Sequence, residues 1–184
     1  MLAVDMKKAY DGQDLERETY TAIDVALDEI ALFGGEEYKK AKEFYKQLLD
    51  NHDEVDCLPV RDVFEDTPKQ SWLTYEFEID NEKFKAFRDE TKVSTTAFFT
   101  GVMGFVIGKY NYKDESVIAT IYNGRKSVNK NVVSMLVKTL PFVADFNGNP
   151  TIKEFLKKSG DLLFECRQHD LYSFGEISAE YGVT

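Results

Sequence analysis

Apolar positions recur at helical spacing in several stretches of the chain. In residues 18–33, Ile23, Leu27 and Ile30 fall on one side, and the pattern stops before Gly34-Gly35, a helix-ending pair. Residues 36–50 repeat it with Tyr38, Ala41, Tyr45 and Leu48-Leu49. The period then changes. Leu73, Tyr75, Phe77 and Ile79 alternate with Thr74, Glu76 and Glu78, which predicts a half-buried strand. Asp80 can cap a short helix carrying Phe84 and Phe87, and Ser94 can cap a helix from Thr95 to Tyr110. That second helix is apolar on most sides and carries Gly101, Gly104 and Gly108. Glycine costs about 1 kcal/mol inside a helix, so three on one side predict close packing against another element.

Val117 to Tyr122 is a short, mainly apolar and β-branched run, expected to lie centrally in a sheet. Met135 to Val143 is read as a further strand ending around Pro141. Asn149-Pro150 is read as a cap with a first-turn proline. The helix it opens places Ile152, Phe155, Leu156, Leu163 and Cys166 on one face, opposite Lys153, Lys157, Lys158 and Asp161. Helices alternating with strands predict an α/β layer architecture. Pro59 and Pro68 bracket Val60 to Thr67, the best candidate for a connector.

Charge divides the chain at that connector. Residues 1–66 hold 18 acidic and 8 basic side chains, and residues 67–184 hold 15 of each, so the net charge of −10 resides in the first third. The expected organisation is an acidic helical segment, 1–66, joined to a neutral α/β body, 67–184. A pI near 4.8 argues against nucleic-acid binding, which needs a basic face. The most apolar run, Ala97 to Ile107, is too short to span a membrane. Two cysteines, Cys57 and Cys166, build neither a disulfide framework nor a zinc cluster. The simplest class is a reduced, cytoplasmic protein.

Chemistry-bearing motifs are few. The chain has no P-loop, no G-x-S-x-G elbow, no H-E-x-x-H and no G-x-G-x-x-G. His52 and His169 alone cannot make a multi-histidine metal site. The acid pairs Glu36-Glu37 and Asp53-Glu54 read as a solvated surface. His169 ends the last predicted helix, where a cation is favoured; a general-base role would need a nucleophile that the sequence does not display. Cys166 falls on the apolar stripe and reads as core. Tyr122-Asn123-Gly124-Arg125 follows directly on a strand, where α/β sites form. Arg125 there could pair a carboxylate, hold a loop or point to solvent.

The order of these pieces resembles the condensation domain of non-ribosomal peptide synthetases. Ser94 to Tyr110 followed by Lys113-Asp114-Glu115-Ser116-Val117-Ile118 is similar to that family's buried helix, acidic turn and strand. Tyr122-Asn123-Gly124-Arg125 resembles its Gly-Arg turn. Val133 to Pro141 resembles its G-x-F-V-N-T-x-P segment, with Ser134 for glycine and Lys138 for asparagine. His169-Asp170-Leu171-Tyr172-Ser173-Phe174 resembles its H-Q-D-Y-P-F motif, with Ser173 for proline. Val143 stands where an arginine is common. Ala9-Tyr10-Asp11-Gly12 and Asp24-Val25-Ala26-Leu27 resemble the stretch after the family's active-site loop.

The resemblance implies a chloramphenicol-acetyltransferase-like fold, of which this chain would be mainly the C-terminal lobe preceded by a helical linker. The family's H-H-x-x-x-D-G motif is absent from the 184 residues. An internal fragment, inactive alone, is therefore expected. The family joins two carrier-protein-bound thioesters through an amide. It binds no cofactor directly and meets phosphopantetheine arms carried by its partners. The implied partners are the N-terminal lobe, peptidyl and aminoacyl carrier proteins and an adjacent adenylation domain. Arg125 would pair the aspartate of the missing motif, and Gly124, His169, Tyr172 and Phe174 would have structural or tunnel roles. Alternatives are an epimerisation or other coenzyme A-dependent acyltransferase-like domain, and a non-catalytic carrier-protein docking domain. A cut lobe should also expose apolar surface and self-associate.

Overall fold

The structure is a computed structural model and describes residues 2–52, 54–58 and 74–182. Seven helices and two strands are present among them: α1 (Leu2–Tyr10), α2 (Ala22–Leu32), α3 (Glu36–Leu49), α4 (Asn81–Thr91), α5 (Thr95–Tyr110), β1 (Glu115–Tyr122), β2 (Lys138–Asp145), α6 (Ile152–Gln168) and α7 (Phe174–Tyr181). The strands pair antiparallel, with Val117 opposite Val143 and Ile118 opposite Phe142.

Each face of this ribbon carries its own cluster. On one face, Ile118, Phe142 and Ala144 pack with Ala97 of α5 and Phe155, Leu156 and Leu163 of α6. On the other, Val117 and Val143 pack with Ala41, Tyr45 and Leu49 of α3, Cys166 at the end of α6, and Ile177 of α7. The Tyr45 hydroxyl donates to the Cys166 carbonyl at 3.1 Å, so its buried polar end is satisfied. Helix α3 is thus part of the core.

The glycines of α5 act as their spacing predicts. A Cβ on Gly101 would sit 3.0 Å from Ser159 Oγ of α6, and one on Gly108 would sit 2.6 Å from the Phe146 ring. A Cβ on Gly104 would collide with Ala144 of β2. The Gly104 carbonyl accepts from the buried Ser116 hydroxyl at 2.7 Å, tying α5 to β1. Asp80 caps α4 and Ser94 caps α5, each side chain accepting a backbone N–H at 3.1 Å.

Several expectations change. Residues 74–80 form no strand, and the Tyr75, Phe77 and Ile79 side chains are exposed. A strand exists only where a neighbour takes its N–H and C=O groups, and among the described residues this segment has none. Leu73 and the connector from Pro59 to Pro68 lie outside the described residues, as does Asp53. Among the described residues β1 pairs with β2 alone, so it is not a central strand there. β2 begins at Lys138 and runs through Pro141 to Asp145, later than the run from Met135.

Helix α6 is capped by Thr151, not Asn149. Thr151 and Glu154 form a reciprocal capping box, whereas Asn149 takes a left-handed turn at φ 54°. Ile152 is consequently exposed. Helices α1 and α7 add to the sequence reading. Helix α7 has a legible signal in Ser173-x-x-Glu176, a second capping box. The Ile23, Leu27 and Ile30 stripe of α2 is exposed, and that helix buries only Val25.

Candidate functional site

The candidate residues gather at the end of the ribbon where β1 finishes and β2 begins. Gly124 turns the chain there at φ 71°. A side chain would be strained by that backbone and would overlap the Leu136 carbonyl oxygen, so the position requires glycine. Arg125 follows and is half-buried. Its guanidinium donates to three backbone carbonyls of the next loop: Val132 at 2.8 Å, Ser134 at 3.0 Å and Asn129 at 3.3 Å. Of the three readings left open, it holds a loop. Among the described residues Arg125 makes no ion pair. The loop is tightened by Asn129, buried, whose side chain accepts the Lys126 N–H at 2.6 Å.

Lys126 links this turn to the last motif through Asp170 Oδ1, 3.5 Å away. Asp170 is almost fully buried, its side chain 2% exposed, and its Oδ2 accepts no hydrogen bond. Lys138 lies 3.8 Å from that oxygen. The Lys138 ammonium donates at 3.0 Å to the Asp170 carbonyl and pairs with Glu29 of α2 at 2.8 Å. Lys138 stands in the sequence only as a departure from an asparagine, and Asp170 only as part of a motif. Their meeting with Lys126 and Glu29 has no sequence signal, because the partners are distant along the chain.

His169 caps α6, its backbone N–H donating to Glu165 at 3.2 Å. Its ring stacks on Phe44 of α3 at 4.4 Å. Tyr172 is buried and its hydroxyl donates to Glu180, which Lys42 also holds at 2.8 Å. Burial and the Glu180 hydrogen bond push the Tyr172 phenol up. Ser173 caps α7 and Phe174 begins it, half-buried. Tyr38 donates to Glu176, which raises the phenol to about 12. Burial alone would raise the Glu176 carboxyl, but the hydrogen bonds from Tyr38 and Ser173 outweigh it and hold the group low. Burial pushes the Cys166 thiol up to about 12, so it stays a protonated core residue. The acids Glu36 and Glu37 are exposed and pair with Lys39 and Lys40, as a solvated surface does. His52 lies half-buried, apart from this site.

Between α2 and these residues lies an open cavity of about 710 Å³. Ala26, Ile30, Phe33, Leu140, Leu171 and Phe174 give it apolar walls, and Glu29, Lys138, Asp170 and Glu176 its charges. Among the described residues no cluster of three His, Cys, Asp or Glu side chains could hold a metal ion. No helix among them is long and apolar enough to cross a membrane.

Gly124 and Arg125 stand at the end of β1, where the resemblance places its Gly-Arg turn, while the aspartate with which the resemblance pairs Arg125 belongs to a motif absent from these 184 residues. The family model described as "Condensation domain" matches residues 1–184. This chain belongs to the condensation-domain family. Bacitracin synthase 1 of Bacillus licheniformis is 27% identical over 88 residues, which cover 46% of this chain and 2% of that protein. The X-domain from teicoplanin biosynthesis superposes with a TM-score of 0.74 at 17% identity, over 95% of this chain and 41% of that one. The first condensation domain of the calcium-dependent antibiotic synthetase, in complex with a substrate analogue, gives 0.71 at 11% identity, over 95% and 39%. The EpoB NRPS cyclization-docking bidomain from Sorangium cellulosum gives 0.74 at 13% identity, over 96% and 38%. At these identities the structures show a shared α/β, condensation-type fold. This condensation-domain chain thus spans well under half of each structure, and a small part of the curated relative.

Proposed function

We propose that these 184 residues are the C-terminal-lobe side of a condensation domain that joins two carrier-protein-bound thioesters through an amide bond. The observation that carries this reading is the family match across residues 1–184 in a chain spanning only about 41% of a condensation-type structure. In this reading the chain supplies wall and scaffold. A thioester is already activated toward an amine, so holding the two arms in register can supply much of the rate. The base that positions or deprotonates the amine comes from outside these residues, because His52 and His169 are neither paired nor in a suitable motif. Arg125 is a positioning residue: its grip on the 129–134 loop fixes the ground on which the catalytic loop rests, and its ion-pair partner is an aspartate of that loop. Phosphopantetheine arms arrive on the carrier proteins, and an adenylation domain is the neighbour that loads them.

The test is amide formation from two loaded carrier proteins, followed by mass spectrometry. The 184-residue chain alone should leave the rate at the uncatalysed background. Amide formed by this chain alone would overturn the reading.

A further inference from the structure

The β1–β2 ribbon has two outer edges, and the chain treats them differently. Ser116 pairs with Ala144, Ile118 with Phe142 and Thr120 with Leu140. Just before β1, the Asp114 carbonyl accepts the Phe146 N–H at 3.0 Å. Even-numbered residues of β1 therefore bond to β2, and odd-numbered ones turn their N–H and C=O groups outward. Val117 does so. Its N–H donates to Asp56 Oδ2 at 2.9 Å, and its carbonyl accepts the Asp56 N–H at 2.7 Å. On β2 the outward positions include Pro141 and Val143, both buried. Pro141 has no N–H to offer, and its carbonyl accepts from the Cys166 thiol at 3.5 Å. Ala119 and Ile121 differ. Their outward groups have no partner among the described residues, and both are exposed, Ile121 by 71%. Val117 to Tyr122 carries no charge and no proline, the usual edge protections, and is mainly β-branched. A bare edge of this kind is a template for another strand.

We propose that the outer edge of β1 at Ala119 and Ile121 docks a short, uncharged, extended peptide strand supplied in trans, whose backbone pairs with the N–H and C=O groups of those two residues. An extended backbone presents donors and acceptors at the spacing of alternate strand residues, which is what this edge offers. The strand is short because the Asp56 segment closes the edge at Val117 and β1 ends at Tyr122. It is uncharged because the run it lies against has no charged side chain to match one. An apolar residue set beside Ile121 covers that exposed side chain. The inference stands on the ribbon alone and holds whether or not the parent domain makes amides.

The experiment is amide hydrogen exchange, read residue by residue by nuclear magnetic resonance, on the full 184-residue chain with excess acetyl-Ser-Val-Thr-Val-Ser-amide. Exchange at Ala119 and Ile121 should slow by about tenfold or more, while Thr120, already paired with β2, should not change. The same peptide with every backbone nitrogen methylated keeps its side chains but donates nothing, and should give no protection. Ile121→Pro removes an outward N–H without touching the ladder to β2 and should abolish the effect of the peptide at Ala119. The methylated peptide and the alternation along β1 decide the matter even where Ile121→Pro fails to fold. No slowing at millimolar peptide, equal slowing by the methylated peptide, slowing at Thr120 as large as at its neighbours, or undiminished protection of Ala119 in folded Ile121→Pro would each overturn the proposal. So would protection of Ala119 and Ile121 that needs no peptide and grows with protein concentration, which would give the edge to a second copy of this chain.

Discussion

Helices α5 and α2 are both strongly apolar, yet α5 packs its glycine side tightly into the molecule, leaving Phe99, Met103 and Phe105 exposed on the other, while α2 shows nearly its whole hydrophobic stripe to solvent. The difference lies in fit. Helix α5 presents Gly101, Gly104 and Gly108 along one side, so β2, Phe146 and α6 approach its backbone closely. Dispersion contacts add up only at such short range. Helix α2 has no such row. It seats Val25 and one ion pair, Lys138–Glu29, and leaves Ile23, Leu27 and Ile30 outward, 71%, 57% and 69% exposed. Apolar content therefore marks which helix sides need cover, and side-chain shape decides which of them this chain covers itself.

Breaking the fit at α5 should have the largest effect. Gly104→Leu forces a branched side chain into Ala144 and the Ser116 hydroxyl, neither of which can yield. Soluble folded protein should be lost. The milder Gly104→Ala should cost about 1–3 kcal/mol, the usual range for overpacking, and Ala144→Gly in the same chain should return part of it. Urea unfolding measures both. If Gly104→Ala is neutral, the glycine row is not what seats α5.

Arg125 tests the same idea at the site. Arg125→Ala removes three hydrogen bonds from a charged donor to the loop carbonyls and should destabilise the chain by about 3 kcal/mol. Backbone amides of residues 129–134 should lose hydrogen-exchange protection first. A fully stable variant with an unchanged loop would return Arg125 to the role of a surface turn residue.

How much of this was legible follows from the range of each interaction. The caps Asp80 and Ser94, the bounds of α5, the core role of Cys166 and the Gly-Arg turn are local or motif-borne, and the sequence states them. The strand at 73–79 misleads because alternation reports an amphipathic ribbon, not the presence of a partner edge. Asn149 misleads because two capping signals lie two residues apart, and the reciprocal Thr151–Glu154 pair wins. The meeting of Asp170, Lys126, Lys138 and Glu29 joins four distant segments, and no periodicity encodes it.

A smaller effect belongs to the clamp between α3 and α7. Tyr38 donates to Glu176, and Tyr172 and Lys42 both reach Glu180. Glu180 is held low chiefly by Lys42 and Tyr172, and Glu176 by Tyr38 and Ser173 against its own burial. A carboxyl depressed in the folded state stabilises it fully above the unfolded value, about 4.3 for glutamate, and the contribution is lost as pH falls through the folded value. Residues 174–181 should therefore loosen as pH falls below the ordinary glutamate value of about 4.3, seen as lost near-ultraviolet tyrosine dichroism. Tyr38→Phe should cost about 1 kcal/mol at neutral pH and flatten that acid limb. An acid limb that the substitution leaves unchanged would place the sensitivity elsewhere.

The smallest change in stability, and the sharpest contrast with α5, is expected on α2. Ile23 and Leu27 lie one turn apart on a surface where each is more than half exposed. Replacing both with lysine removes little packing, so the unfolding midpoint should move by no more than about 0.5 kcal/mol. What should change is association. The stripe continues to Phe33, and α1 also leaves Leu2, Val4 and Met6 exposed; monomers rarely leave extended apolar surface open. Two copies meeting about a two-fold axis would each cover the other's stripe with the same residues. The acidic charge of residues 1–66 opposes that meeting at low salt and is screened at high salt. Light scattering at micromolar concentration should therefore show a dimer that strengthens with salt and that Ile23→Lys with Leu27→Lys dissolves. A strictly monomeric wild-type chain at high salt would mean that the α2 stripe is tolerated by itself, and that fit at α5 marks no boundary between what this chain covers and what it leaves to another surface.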